Sequence, residues 1–128
     1  MTRGTAGRAT IVAVVVGSLA VTAAGVASSK PPQKRHLSAD KNGELKFNKS
    51  KLTVKHGKVK LIMANPKSSG SEHGIAVKGH GLDKDGRIVL PGKTSTVTVT
   101  LKKGKTYTFY CPVAGHASAG MRGKITVN

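Results

Sequence analysis

The chain has 128 residues, room for one ordinary domain and not two. It carries 22 Lys and Arg against five Asp and Glu, a formal +17, so nucleic acid, anionic membrane and acidic proteins all qualify as partners on charge alone. Aromatics make up only 3%, too few to stack successive bases of a single strand, and one cysteine, Cys111, excludes an internal disulfide and any multi-cysteine zinc or iron–sulfur site.

The first eight residues contain Arg3 and Arg8 and no acid, and residues 11–27 form an apolar, small-residue stretch closing on Gly25, Val26 and Ala27. This pattern predicts a secretory signal peptide over 1–27, cut beside its small residues. An uncleaved membrane anchor is the competing reading, but a span wants about 20 strongly apolar residues. No Cys follows the stretch, so a lipoprotein anchor is not available. Cleavage would leave 20 basic residues against five acidic, +15, so the basicity belongs to the exported part. The expected location is extracytoplasmic, in the periplasm or cell envelope. Residues 28–43 are polar, contain Pro31 and Pro32, and show no apolar period, which predicts a linker or arm. The folded domain is then expected over 44–128.

Within that domain apolar residues alternate at period two between clusters of Gly, Pro, Asn, Asp and Lys. The candidate strands are residues 44–47, 51–55, 58–65, 73–78, 87–90, 94–101, 105–111 and 122–127. Eight short strands with turn signals between them predict an all-β antiparallel sandwich or barrel. Parity assigns the faces, because successive side chains in a strand point to opposite sides. Leu52 and Val54, then Val59, Leu61 and Met63, then Val97, Val99 and Leu101 share the inner face, with most lysines and threonines outside. In the strand 105–111 the inner residues Tyr107 and Phe109 lead to Cys111. In 73–78 Ile75 and Val77 lead back to His73. In 122–127 Ile125 and Val127 lead back through Gly123 to Met121.

Cys111, His116 and Met121 stand five positions apart. Five positions turn about 140° on a helix and alternate faces on a strand, so only a loop that folds back brings the three together. Gly115 and Gly120, one before each later candidate, permit the tight backbone of such a loop. With His73 added, the set is two imidazoles, a thiolate and a thioether, the donor set of a blue-copper electron-transfer site. Thiolate is soft and favours Cu(I), imidazole serves both oxidation states, and a weak axial thioether supports the reduced one. Zinc could enter the same ligands, but the affinity order favours Cu(II). His36, His56 and His80 lack any such register and are expected at the surface.

The segment from Thr106 to Val127, which contains this C-x4-H-x4-M spacing, resembles the C-terminal signature of the plastocyanin/azurin family of cupredoxins. Its spacing is most similar to that of auracyanin-like single-domain members. The segment from Asn65 to Val77 is similar to the part of the family that carries the first histidine. The resemblance spans residues 44–128 and implies a Greek-key β-sandwich with one copper ion held by His73, Cys111, His116 and Met121. It also implies that the backbone amides of Gly74 and Val113 face the cysteine sulfur, and that Tyr110 offers a second surface route for electrons. Two departures stand out: Gly74 replaces an Asn whose side chain ties the ligand loops together, and Ala114 replaces a Pro.

The leading expectation is therefore a type 1 (blue) copper protein, an extracytoplasmic one-electron carrier cycling Cu(II)/Cu(I). His116 is expected to reach solvent within a small apolar patch of Pro112, Val113, Ala114, Ala117 and Ala119, suited to brief docking. The positive surface would steer acidic redox partners, the chain acting as a monomer, with anionic envelope polymer or lipid as non-specific contacts and nucleic acid excluded by export. The competing expectation is an envelope protein that stores, delivers or sequesters copper without electron transfer. Such a protein wants a Met- or His-rich exchangeable site, whereas Met1 and Met63 are accounted for by initiation and core. No enzyme is expected: Tyr110 and Pro112, not histidines, flank Cys111, and no paired carboxylates or nucleophile–base set appears.

Overall fold

The computed structural model describes Gly17 and residues 30–128. The expected signal peptide, Gly17 apart, lies outside the described residues. Eight strands follow in chain order: β1 (Gln33–Ser38), β2 (Lys51–Val54), β3 (Gly57–Ala64), β4 (Ala76–Gly79), β5 (Leu82–Asp85), β6 (Thr94–Leu101), β7 (Thr106–Tyr110) and β8 (Arg122–Val127). They form a three-stranded sheet, β1-β3-β6, packed on a five-stranded sheet, β2-β8-β7-β4-β5. This is the predicted all-β sandwich, and the inner faces follow the parity, but the expected all-antiparallel pairing is corrected: β1 runs parallel to β3 and β2 parallel to β8, because each reaches its partner by a crossover rather than a hairpin. Val59, Leu61, Met63, Val97, Val99 and Leu101 from one sheet meet Val54, Val77, Phe109, Ile125 and Val127 from the other, all buried. A side chain of this size contributes about 1.5–3 kcal/mol when fully buried, so the two inner faces supply the main driving force for folding.

Two predicted strands are single bridges instead. Residues 44–47 pair only through Ala39 and Phe47, and residues 87–90 only through His73 and Val89. Two strands replace them, β1 and β5, and both lie at sheet edges. Their sequences, Gln-Lys-Arg-His-Leu-Ser and Leu-Asp-Lys-Asp, hold one large apolar residue each, so neither shows an apolar alternation. Charged edge strands resist pairing with other chains, which is why such strands escape a hydrophobic-pattern reading. The expected linker over 28–43 is thereby corrected. Its Gln33–Ser38 segment pairs in parallel with β3, Leu37 and Ala39 are core residues, and the folded domain begins at Gln33 rather than at residue 44.

Register decides which residues share an end of the sandwich. β4 runs antiparallel to β7 with Ala76 opposite Tyr110, so His73, before β4, comes to the same end as Cys111, just after β7. β7 runs antiparallel to β8 with Tyr110 opposite Arg122, which brings Met121 to the same end. Behind them Phe109 is opposite Gly123, and the Phe109 ring occupies the space a Gly123 side chain would need. Phe109 also packs on Phe47 at 5.6 Å between ring centroids, a tilted aromatic pair that closes the core beneath the ligand loop.

Candidate metal centre

The loop from Cys111 to Met121 is held by its own backbone. His116 donates to Val113, Ala119 to Gly115 and Gly120 to Ala117, a series of tight turns. The Met121 amide donates to the His116 carbonyl at 3.0 Å, and the Cys111 amide donates to the Met121 carbonyl at 3.1 Å. Those two bonds close the loop on itself. Gly115 and Gly120 both have positive φ, 81° and 118°, as a fold-back loop with glycine at these positions demands.

The loop and the β4 lead-in bring three donors together. One ligand atom each from His73, Cys111 and His116 lies within 4.8 Å of the others. The His116 Nδ1 is 3.6 Å and the His73 Nδ1 3.9 Å from Cys111 Sγ, and the two imidazole centroids are 5.1 Å apart. Cys111 and His73 are buried and His116 is half-buried. Met121 is also fully buried, its backbone locked to both Cys111 and His116. Two imidazole nitrogens and a sulfur converging in a largely buried site, with buried Met121 joined to its flanks through the backbone, fit copper. His73, Cys111 and His116 with Met121 form a type 1 copper site.

The protonation states agree with that use. Burial, reinforced by neighbouring His116, lowers the pKa of His73 and favours the neutral ring that a metal requires. Its other ring nitrogen, Nε2, is 3.1 Å from Ser71 Oγ. With Nδ1 left to hold a metal, Nε2 would keep the ring proton and donate a hydrogen bond to Ser71 Oγ, which fixes the tautomer and ring orientation. Burial pushes the Cys111 thiol up, while the Gly74 and Val113 backbone amides, donating to the sulfur, pull it down. The Gly74 N–H lies 3.5 Å from Sγ. The Gly74 amide thus faces the sulfur directly.

The missing Asn side chain at position 74 has a steric reason. A Cβ on Gly74 would stand 3.0 Å from the Arg87 carbonyl oxygen and 3.1 Å from Pro112 Cγ. Pro112, next to the cysteine, packs directly on this backbone, and the loop tie is made elsewhere. Asn65 donates through Nδ2 to the carbonyls of Ser71 and Val89, both at 3.0 Å, and accepts from Ser69 Oγ at 2.5 Å. Ser95 Oγ accepts from the Ile75 amide and donates to the Arg87 carbonyl. Asn65, Ser69, Ser71 and Ser95 are residues that sequence reasoning missed. Asn65 precedes a proline in an apparent turn, and only the burial of Asn65, Ser69 and Ser95 separates them from ordinary loop and strand polar residues.

Tyr110 lies on the outer face, as parity requires. Its hydroxyl sits 2.7 Å from Asp83 Oδ1 and 3.1 Å from Asp85 Oδ1, and Lys78 Nζ is 4.7 Å from its ring centroid. Burial first, then these two carboxylates, raise the pKa of its phenol. Of the remaining patch residues, Pro112, Val113 and Ala117 are half-buried, and Ala114 and Ala119 exposed. His36, His56 and His80 are exposed.

A family model described as copper binding proteins, plastocyanin/azurin family, matches residues 33–128. The chain is 34% identical over 128 residues to the chloroplastic plastocyanin of Silene latifolia subsp. alba, covering 91% of this chain and 72% of that protein. Auracyanin B is similar in structure, with a TM-score of 0.67 at 21% identity over 77% of this chain and 90% of that one. A copper nitrite reductase from Nitrosomonas europaea gives a TM-score of 0.61 at 22% identity, covering 77% of this chain but 42% of the reductase. The structural likenesses concern the fold, while the family match spans the whole sandwich with its four ligands, and the chain belongs to the plastocyanin/azurin family of copper-binding proteins.

Proposed function

We propose that the protein is an extracytoplasmic one-electron carrier. The observation that carries this reading is the convergence of the buried Cys111 thiol with His73 Nδ1 and half-exposed His116 Nδ1 within 4.8 Å. When bound, copper supplies the Cu(II)/Cu(I) couple, which exchanges one electron at a time. The chain's part is to hold the donors still and keep water out. The closed loop, the Asn65 and Ser95 ties and the Ser71 contact limit movement of the ligands when charge changes. His116, half-buried, offers an exit to a partner, and Cys111 joins covalently to Tyr110 for a second route. On this reading the chain is not itself an enzyme.

Burial favours a carrier over a protein that stores or delivers copper, because three of the four donors are shut from solvent. Addition of Cu(II) to the purified protein is expected to produce an intense absorption band near the red end of the spectrum, bleached by reductant and restored by oxidant. Colourless binding with rapid loss to a modest chelator would favour storage or delivery instead.

The docking surface on this reading is the apolar collar of Pro112, Val113, Ala114, Ala117 and Ala119 around His116. Ile88 and Leu90, large apolar residues exposed at 48% and 59%, flank the Val89 that pairs with His73. The net positive charge would steer acidic redox proteins, the carrier acting as a monomer and taking no nucleic acid. Electron exchange with such a partner is expected to slow as ionic strength rises. A flat salt profile in stopped-flow measurements would remove charge from the encounter.

A further inference from the structure

The end of the sandwich opposite the copper site carries a charge pattern that electron transfer does not use. Register brings five chain segments there, one of them the β4–β5 hairpin in which Gly79 is opposite Leu82. Gly57 pairs with Leu101, the Asn128 amide bonds the Val54 carbonyl, and the Gly104 amide bonds the Val127 carbonyl. The chain enters at the same end, where Gln33 is level with Val59. These segments present Lys30, Lys55, Lys58, Lys102, Lys103 and Lys105, all exposed. None of the five acidic residues lies among them. Asp40, Glu44 and Glu72 belong to connections at the copper end, and Asp83 and Asp85 lie on β5 against Tyr110. The one ion pair among the described residues, Lys46 with Glu44, is also remote from this end.

Part of the surface is preorganised. Lys30, Lys55, His56 and Lys58 line a cavity of about 380 Å³. Its wall is clamped by Gln33, whose Nε2 donates to the Lys55 carbonyl at 2.7 Å while the Lys55 amide donates to Gln33 Oε1 at 2.9 Å. The clamp joins the entering chain to the β2–β3 turn, so these lysines need little backbone ordering to meet a ligand together. Six like charges on one end repel one another, and an anionic surface relieves that cost.

We infer that this copper-distal pole docks the protein on a membrane surface of anionic phospholipid headgroups. A membrane is the occupant favoured by charge complementarity with six exposed lysines that have no acidic residue among them, and on the competing anchor reading the apolar stretch 11–27, which ends three residues before Lys30, would lead to this same pole. The docking faces the ligand loop away from the lipid, and residues 112–120 of that loop contain no charged side chain. The inference goes beyond the carrier reading and stands whether or not the copper exchanges electrons.

The test is co-sedimentation of the full chain with vesicles of phosphatidylcholine alone or with a quarter phosphatidylglycerol. The apolar stretch contributes to both compositions and Arg3 and Arg8 add the same anionic term to every variant, so the pole is read from the change between parent and variants. Binding is expected to be about tenfold or more tighter on anionic vesicles and to fall with added NaCl. A variant with Lys55, Lys58, Lys102, Lys103 and Lys105 each changed to Gln loses that preference. A control with Lys51, Lys60, Lys78, Arg122 and Lys124 changed to Gln, the same charge removed from the sheet faces, keeps it. Lysine acetylation read by mass spectrometry is expected to be suppressed by vesicles at the pole and unchanged at Lys67 and Lys93. Equal loss in both variants, or no anionic preference, overturns the inference. Binding to soluble polyglutamate without binding to vesicles overturns it too, and assigns the pole to an acidic protein.

Discussion

Replacing Cys111 by serine is expected to leave a protein that no longer turns blue with Cu(II) and no longer gains stability from it. The thiolate is the donor that both imidazoles face, at 3.6 and 3.9 Å, and a hydroxyl is neither soft nor readily ionised in that buried place. A metal present at a thousandfold its dissociation constant stabilises the fold by about 4 kcal/mol. For a domain of this size that corresponds to roughly 15–30 °C in melting temperature. The measurement is the difference in melting temperature between copper-loaded and metal-free protein, for parent and variant. The parent is expected to show the large gap and Cys111→Ser almost none. Using the difference removes any cost of the serine itself, and a gap preserved in the variant would refute Cys111 as a ligand.

The second large effect is expected at a residue that touches no ligand. In Gly123→Ala the new methyl would overlap the Phe109 ring, with the Ser50 carbonyl oxygen 2.6 Å away and blocking retreat. Phe109 is itself fully buried against Phe47, so the ring has nowhere to go. Overpacking of this kind costs about 1–3 kcal/mol, and a backbone neighbour on the far side puts the cost at the upper end. A drop of roughly 10–20 °C in the melting temperature of the metal-free protein is expected. Because Cys111 and Met121 lie two residues from the clash on either strand, the blue band is expected to shift as well. Gly123→Ala combined with Phe109→Leu is expected to cost less than the two changes summed, since the smaller side chain relieves the overlap. A Gly123→Ala protein melting within about 2 °C of the parent would show that the sheet yields there.

How much of this could be read from the chain differs by element. Strands β3, β6 and β8 are legible to within a residue, because an apolar residue recurs at every second position of the buried face, although Ile62 breaks the polar outer row of β3, and both sheets bury one face. β1 and β5 are illegible by that criterion. Gln33, Arg35 and Leu37 share the inward parity, yet only Leu37 is buried and apolar, so the pattern carries no hydrophobic period. An edge strand owes its place to hydrogen bonds offered by its neighbour, β3 for β1 and β4 for β5, which no local pattern of side chains reports. The linker expected over 28–43 failed for this reason.

The copper ligands were legible because each of Cys111, His73 and Met121 continues the inward phase of a strand, and a donor set of two His, one Cys and one Met has few other uses. The chain by itself therefore determined the metal, the four ligands and the class of fold. Only the tertiary structure decided what holds those ligands in place, since that depends on contacts between segments distant in sequence. Asn65 reaching Val89, Ser95 reaching Ile75 and Arg87, and Pro112 resting on Gly74 are invisible until the sheets pack. The same holds for charge. Composition reports a strongly basic chain, but strand register, parallel for β1 and β2 and antiparallel for the rest, decides that six lysines without an acidic residue gather at the pole farthest from the metal site.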